Sequence, residues 1–156
     1  MCADFQKTFD KVPHKRLIKK IENYGIANPI LSWIKDFLSR RYQPVSIEGE
    51  ISNQMEDTSG IPQGSALGPI LLVLYTNDLS NAVESEAYLF ADDTNIYRLI
   101  NSIDDLQILQ NDLIKFENRS DKCLLKFHPA KCKHMNMHRT PKEEKVKHNL
   151  LGQEIS

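Results

Sequence analysis

Cysteine is scarce in this chain, with Cys2, Cys123 and Cys132 alone among 156 residues. An odd and sparse set builds no disulfide framework and points to a reducing compartment. Long apolar runs are also lacking. The longest, Ala66 to Tyr75, falls far short of a membrane span, so no membrane partner is expected. No basic-apolar-small leader opens the chain, and the expectation is an intracellular protein, nuclear or cytoplasmic, rather than a secreted one. There is no internal repeat, low-complexity tract or clear linker. What remains is an ordinary globular composition, 40% apolar and 26% charged. A chain of this length buries roughly 70% of its unfolded surface, so a real core is within reach.

The net charge of −1 conceals a segregation. Residues 1–41 carry nine basic against four acidic side chains, a balance of +5. Residues 42–112 carry one basic against twelve acidic, −11. Residues 113–156 return to ten against five, +5. Solvated faces that happen to differ would give this pattern. So would an acidic site for cations bordered by surface for an anionic polymer.

Local signals give a coarse map. A short strand ends at Asp4. The spacing of Leu17, Ile18, Ile21 and Tyr24 predicts a helix from His14 to Tyr24, with Lys15, Arg16, Lys19 and Lys20 on its other side and Gly25 as the stop. A second amphipathic helix follows, with Asn28 as cap and Pro29 in its first position. Alternation around Gly49 predicts a hairpin. A mostly buried helix is expected over 66–82, then two strands in "EAYLFADDTNIYRLI" with paired aspartates at the bend. A helix capped by Ser102, with Asp104 and Asp105 in its first turn, comes next. "KCKHMNMH" reads as a weak strand, and the last segment is weakly strand-like. The order β-αα-ββ-α-ββ-α-β implies an α+β fold with a mainly antiparallel sheet.

Asp92 and Asp93 are the first candidates for chemistry. The plain alternative is an Asx-type turn. Their flanks, "YLF" and "IY", imply strands packed into a core, so the carboxylates emerge at a rigid edge where lack of compensation is costly. If the strand ending at Asp4 pairs beside this hairpin, Asp4 and Asp92 converge. Carboxylates are hard oxygen ligands suited to Mg²⁺, and paired ions about 3.5–4 Å apart are the recurring device for in-line phosphoryl transfer. In "TSGIPQGSALGP", Gly60, Gly64 and Gly68 surround Pro62 ahead of a helix, either as plain connection or as backbone that a ligand can approach. Phe9 is a core aromatic or a flat wall beneath a nucleotide sugar. Cys123, His128, Cys132, His134 and His138 lie close together, but their spacing matches no zinc finger or knuckle.

"ADFQKTFDKVPH", "SGIPQGSALGPILLVLYTNDL", "LFADDTNIY" and "LLKFHPAKC", in this order, closely resemble the palm of non-LTR retrotransposon (LINE) reverse transcriptases of the jockey-like group. The resemblance covers nearly the whole chain. It implies an antiparallel palm-like sheet packed with helices, a partial palm over 1–138, and a partial connection over 139–156 toward a primer grip and thumb. Fingers, thumb and endonuclease domain of a longer polyprotein are expected to lie outside the chain. It further implies that Asp4 and Asp92 bind both catalytic metals, Mg²⁺ or Mn²⁺, with Asp93 in support. Phe9 would select deoxynucleotides, and Gln63 and Gly64 would contact the incoming nucleotide and template base. Lys131 would be the general acid for the leaving pyrophosphate, or else an exposed structural lysine. RNA template, DNA primer and deoxynucleoside triphosphates are the implied partners. Two outcomes stay open at this stage: an active piece of RNA-directed DNA polymerase, or an inactive retrotransposon-derived chain that at most binds nucleic acid weakly. Arg119 and Cys123 stand where relatives often carry Trp, a loss of order 1–3 kcal/mol each if those sites are buried. Ala3 stands where a larger apolar residue is usual.

Overall fold

The structure is a computed structural model that describes residues 1–39, 41–90, 93–137, 148–150 and 153–155. In chain order the elements are β1 (Cys2–Asp4), α1 (Thr8–Lys11), α2 (His14–Asn23), α3 (Ile30–Leu38), β2 (Tyr42–Gln43), β3 (Ser46–Ile47), β4 (Glu50–Ile51) and β5 (Met55–Glu56). Then come α4 (Leu67–Thr76), a 3-10 turn (Asn77–Ala82), β6 (Glu86–Phe90), β7 (Asp93–Tyr97), α5 (Ile103–Lys122), a 3-10 turn (Pro129–Lys131), β8 (His148–Leu150) and β9 (Gln153–Ile155). The fold is α+β, and every strand pair among the described residues is antiparallel. The chain divides into two units, Met1–Thr8 with Thr76–Ser156, and Phe9–Tyr75.

In the first unit, β1, β7 and β6 form a sheet in that order. β7 alternates strictly. Thr94 and Ile96 are buried, while Asp93, Asn95 and Tyr97 face out. The inner face continues through buried Ala3, and Phe5 carries the core onto α5 by stacking on Phe127 at 4.6 Å and meeting Phe116 at 6.4 Å. Segment 126–133 lines the outer edge of β1. Gln6 N–H donates to Lys126 O (2.7 Å) and His128 N–H to Asp4 O (2.8 Å), and Cys2 and Lys133 exchange backbone bonds of 2.8 and 2.9 Å. The expected strand over "KCKHMNMH" reduces to this single bridge at Lys133, preceded by the 3-10 turn; His138 lies outside the described residues.

The α5 cap forms reciprocally. Asp105 N–H donates to Ser102 Oγ (3.3 Å), and Ser102 N–H to Asp105 Oδ2 (3.0 Å). The Asn101 N–H first, then the Ser102 hydroxyl, hold the Asp105 carboxyl below its usual range. Further along α5, Asp112 is fully buried. It accepts from Ser85 N (2.7 Å), Ser85 Oγ (2.6 Å) and Glu84 N (3.1 Å), which ties the helix to the entry of β6. Arg119 is half-exposed and pairs with Asp78 of the 3-10 turn, so an ion pair stands where apolar cover was expected. Cys123 is buried.

In the second unit, α2 buries Leu17 and Ile21 and ends where Gly25 takes a φ of +84°. α3 starts one residue later than the sequence predicts. Pro29 is its cap position, and Asn28 Oδ1 accepts from Ser32 Oγ (2.8 Å) rather than from the helix backbone. Glu48 and Gly49, at φ +51° and +90°, make the two-residue turn between β3 and β4, outside which β2 pairs with β5. The expected single helix over 66–82 is α-helical only to Thr76. From Asn77 it tightens, and Ser80 Oγ donates to Asn77 O (3.0 Å), the local competition that polar short side chains offer.

The Gly60 loop lies directly on the turn after Phe9. Gly60 N–H donates to Val12 O (2.9 Å), Ile61 N–H to Phe9 O (2.6 Å) and His14 Nε2 to Gly60 O (2.7 Å). At φ +96°, a Cβ on Gly60 would sit 3.0 Å from the carbonyl oxygens of both Phe9 and Asp10. Gly60→Ala is therefore expected to cost about 2–3 kcal/mol, measured as a lower urea midpoint with unchanged slope.

Candidate active site

The register of β1 on β7 sets Asp4 opposite Asp93. Directly opposed residues of an antiparallel pair share a face. Cys2 with Asn95 on the same side, and buried Ala3 with Thr94 on the other, agree with this. Asp93 is also the partner of Phe90 at the end of β6. Asp92, the neighbouring candidate, lies outside the described residues. Two acidic side chains far apart in the sequence thus share one face at the end of the sheet.

Asp4 is largely buried, and its two oxygens differ. Oδ2 accepts from Lys131 Nζ at 2.9 Å. Oδ1 is buried without a hydrogen-bond partner among the described residues. Lys131 reaches Asp4 because the 3-10 turn is anchored to β1 through His128 N–H on Asp4 O, while Lys131 N–H closes the turn on His128 O (2.9 Å). A buried carboxylate oxygen with no donor is a costly arrangement that a hard cation relieves, so the residues fit a divalent ion. Among the described residues no set of three metal-ligating side chains is gathered, and Asp92 is not among them.

Phe9, Gln63 and Gly64 belong to the second unit. Phe9 is half-buried. Gln63 and Gly64 are exposed on the loop that docks beside Phe9, and Gln63 Nε2 donates to Asp10 Oδ1 (3.2 Å). Gly64 has φ +82° with open space where a Cβ would stand. Of the three loop glycines, Gly60 and Gly68 are needed for close approach of the chain's own backbone, since a Cβ on Gly68 would lie 2.7 Å from Pro62 O. The sequence offered His128 only as one of a Cys/His group and gave no sign of Asp10. His128 bonds Asp4 through its backbone, and its buried Nδ1 has no partner among the described residues. Asp10 orients Gln63. Neither carries a local signal, because both act across long sequence separations. The Cys/His group does not converge as a metal centre among the described residues, and burial pushes the Cys132 thiol up and His134 down.

Comparison with known proteins gives these positions a context. Residues 1–155 match the family described as reverse transcriptase (RNA-dependent DNA polymerase). The RNA-directed DNA polymerase from mobile element jockey of Drosophila melanogaster is 33% identical over 64% of this chain and 12% of its own length. The protein named "Probable RNA-directed DNA polymerase from transposon X-element", also of Drosophila melanogaster, is 35% identical over 51% of this chain and 9% of its own length. That of transposon BS from the same fly is 37% identical over 49% of this chain and 8% of its own length. The chain thus spans about a tenth of the length of these curated relatives. With the match running almost from end to end, the chain belongs to the reverse transcriptase (RNA-dependent DNA polymerase) family, and its likeness to the jockey, X-element and BS enzymes sets it among the non-LTR retrotransposon enzymes.

Proposed function

We propose that this chain carries the palm and the catalytic carboxylates of an RNA-directed DNA polymerase. The supporting observation is the β1–β7 register with Asp4 opposite Asp93, together with the unpartnered Asp4 Oδ1. In the reaction proposed, a primer 3′-hydroxyl oxygen attacks the α-phosphate of a deoxynucleoside triphosphate opposite an RNA template. One P–O bond forms, the bond to pyrophosphate breaks, and the hydroxyl proton is lost.

Reverse transcriptases as a family use divalent metal ions. Asp4, Asp92 and Asp93 would hold Mg²⁺ or Mn²⁺, which when bound supplies charge neutralisation at the phosphates and a lowered pKa for the attacking hydroxyl. The chain's own groups do the rest. Lys131, seated 2.9 Å from Asp4, is in reach of the same charge and serves as proton donor to the leaving oxygen. Phe9 forms the wall that rejects a 2′-hydroxyl. Gln63 and Gly64 contact the nucleotide and template base from an exposed loop whose position is fixed on the Phe9–Val12 turn.

The test has two arms. Mn²⁺ or Mg²⁺ should raise the melting temperature, because opposed carboxylates bind the cation in the folded state only; saturation at a hundred times Kd adds about 2.7 kcal/mol. Primer extension on an RNA template with a DNA primer should show metal-dependent incorporation. Absence of both a melting shift and incorporation would overturn the reading.

A further inference from the structure

The groove between α2 and α3 holds about 380 Å³ and belongs wholly to the second unit. Its floor is apolar, from Ile18 and Leu38, and its walls are cationic. Lys15 and Lys19 stand one turn apart on α2, and Lys35 faces them from α3. All three are exposed. A single carboxylate, Glu22, bridges the two walls, 3.4 Å from Lys19 Nζ and 3.5 Å from Lys35 Nζ. Among the described residues Lys15 has no carboxylate partner. His14 closes one end, its ring held by the Gly60 carbonyl.

We infer that this groove is a track for the phosphodiester backbone of a nucleic-acid strand. Three ammonium groups against one carboxylate leave an excess of positive charge in a walled channel, where it attracts anions more strongly than on an open face. Cations set along both walls suit a chain of repeated charges better than one compact anion. Lysine is a flexible point-charge donor that neutralises phosphate without reading bases. Glu22 holds two of the three ammonium groups and competes with a phosphate for them. The inference rests on the proposed handling of nucleic acid, but it concerns a different surface and requires no metal ion.

Fluorescence polarisation of the full chain in EDTA, with a short labelled single-stranded RNA and DNA of the same sequence, tests it. Lys15→Glu with Lys35→Glu should weaken binding roughly tenfold or more and flatten the slope of log affinity against log salt by about 1.4, since each phosphate contributes about 0.7 on a single strand. Lys15→Gln with Lys35→Gln should give a smaller loss, and circular dichroism should show all variants folded. Glu22→Gln should act in the opposite direction and tighten binding. Equal effects on RNA and DNA are expected of a backbone contact. Unchanged affinity in the reversed-charge variant, weaker binding by Glu22→Gln, loss confined to RNA, or binding only to anionic phospholipid vesicles would each overturn it. Failure of the polymerase reading would show in incorporation and in the metal-dependent melting shift, neither of which enters this measurement.

Discussion

Asp4→Asn is expected to cut templated nucleotide incorporation by about 10³-fold, the scale seen when a group that stabilises developing charge is removed. The substitution keeps the shape of the side chain and its place in β1 but removes the charge that opposes Asp93 and receives Lys131. The backbone bonds that hold Asp4, including His128 N–H on its carbonyl, do not depend on that charge, so the fold should persist. Two readouts separate a chemical role from a structural one. The variant's melting temperature without metal should stay near the parent's, because relief of carboxylate repulsion offsets the lost, partly exposed ion pair. The rise on adding Mn²⁺ should shrink sharply. An incorporation rate within a few-fold of the parent's would remove Asp4 from the catalytic machinery.

Asp112→Ala should be the most damaging single change to stability away from that edge, costing about 3–5 kcal/mol. Alanine would strand the backbone N–H groups of Glu84 and Ser85 and the Ser85 hydroxyl, all of which now donate to one buried carboxylate. Burial pushes the Asp112 carboxyl up. Hydrogen bonds from the Ser85 hydroxyl, the Glu84 N–H and the Ser85 N–H, with the Lys115 charge, outweigh that and hold it below its ordinary value. A carboxyl depressed in the folded state stabilises the protein above its unfolded pKa of about 3.9 and loses that contribution as the pH falls through the folded value. Denaturation followed by circular dichroism from pH 7 downward should show stability declining below about pH 5 in the parent. Asp112→Asn should be less stable at pH 7 and show a shallower acid decline. A parent-like midpoint in Asp112→Ala would mean that the three donors find other acceptors.

Local chemistry was enough to read several elements. The Ser102–Asp105 cap, the Glu48–Gly49 turn, the amphipathic α2 and the two strands flanking the aspartates are each governed by residues within a few positions of one another. What escaped the sequence is non-local. Nothing near Asp112 says that a polar residue on α5 will be the buried anchor of the chain before β6. Nothing near Gly60 says that its missing side chain makes room for the carbonyls of Phe9 and Asp10. Arg119 reads as the loss of an aromatic until Asp78, far away in sequence, proves to be its partner. The meeting of Asp4 with the aspartate hairpin was conditional on a pairing that periodicity does not fix. The register that sets Asp4 opposite Asp93 is a property of the assembled sheet.

The segment along the outer side of β1 limits how Asp4 can move. Hydrogen-bonded to β7 on one flank and to residues 126–133 on the other, β1 has no free edge from which to add a foreign strand. Its main chain is clamped at the level of the carboxylate. Any exchange of partners at Asp4 therefore falls to torsions of the aspartate and lysine side chains and needs no slower rearrangement of the strand.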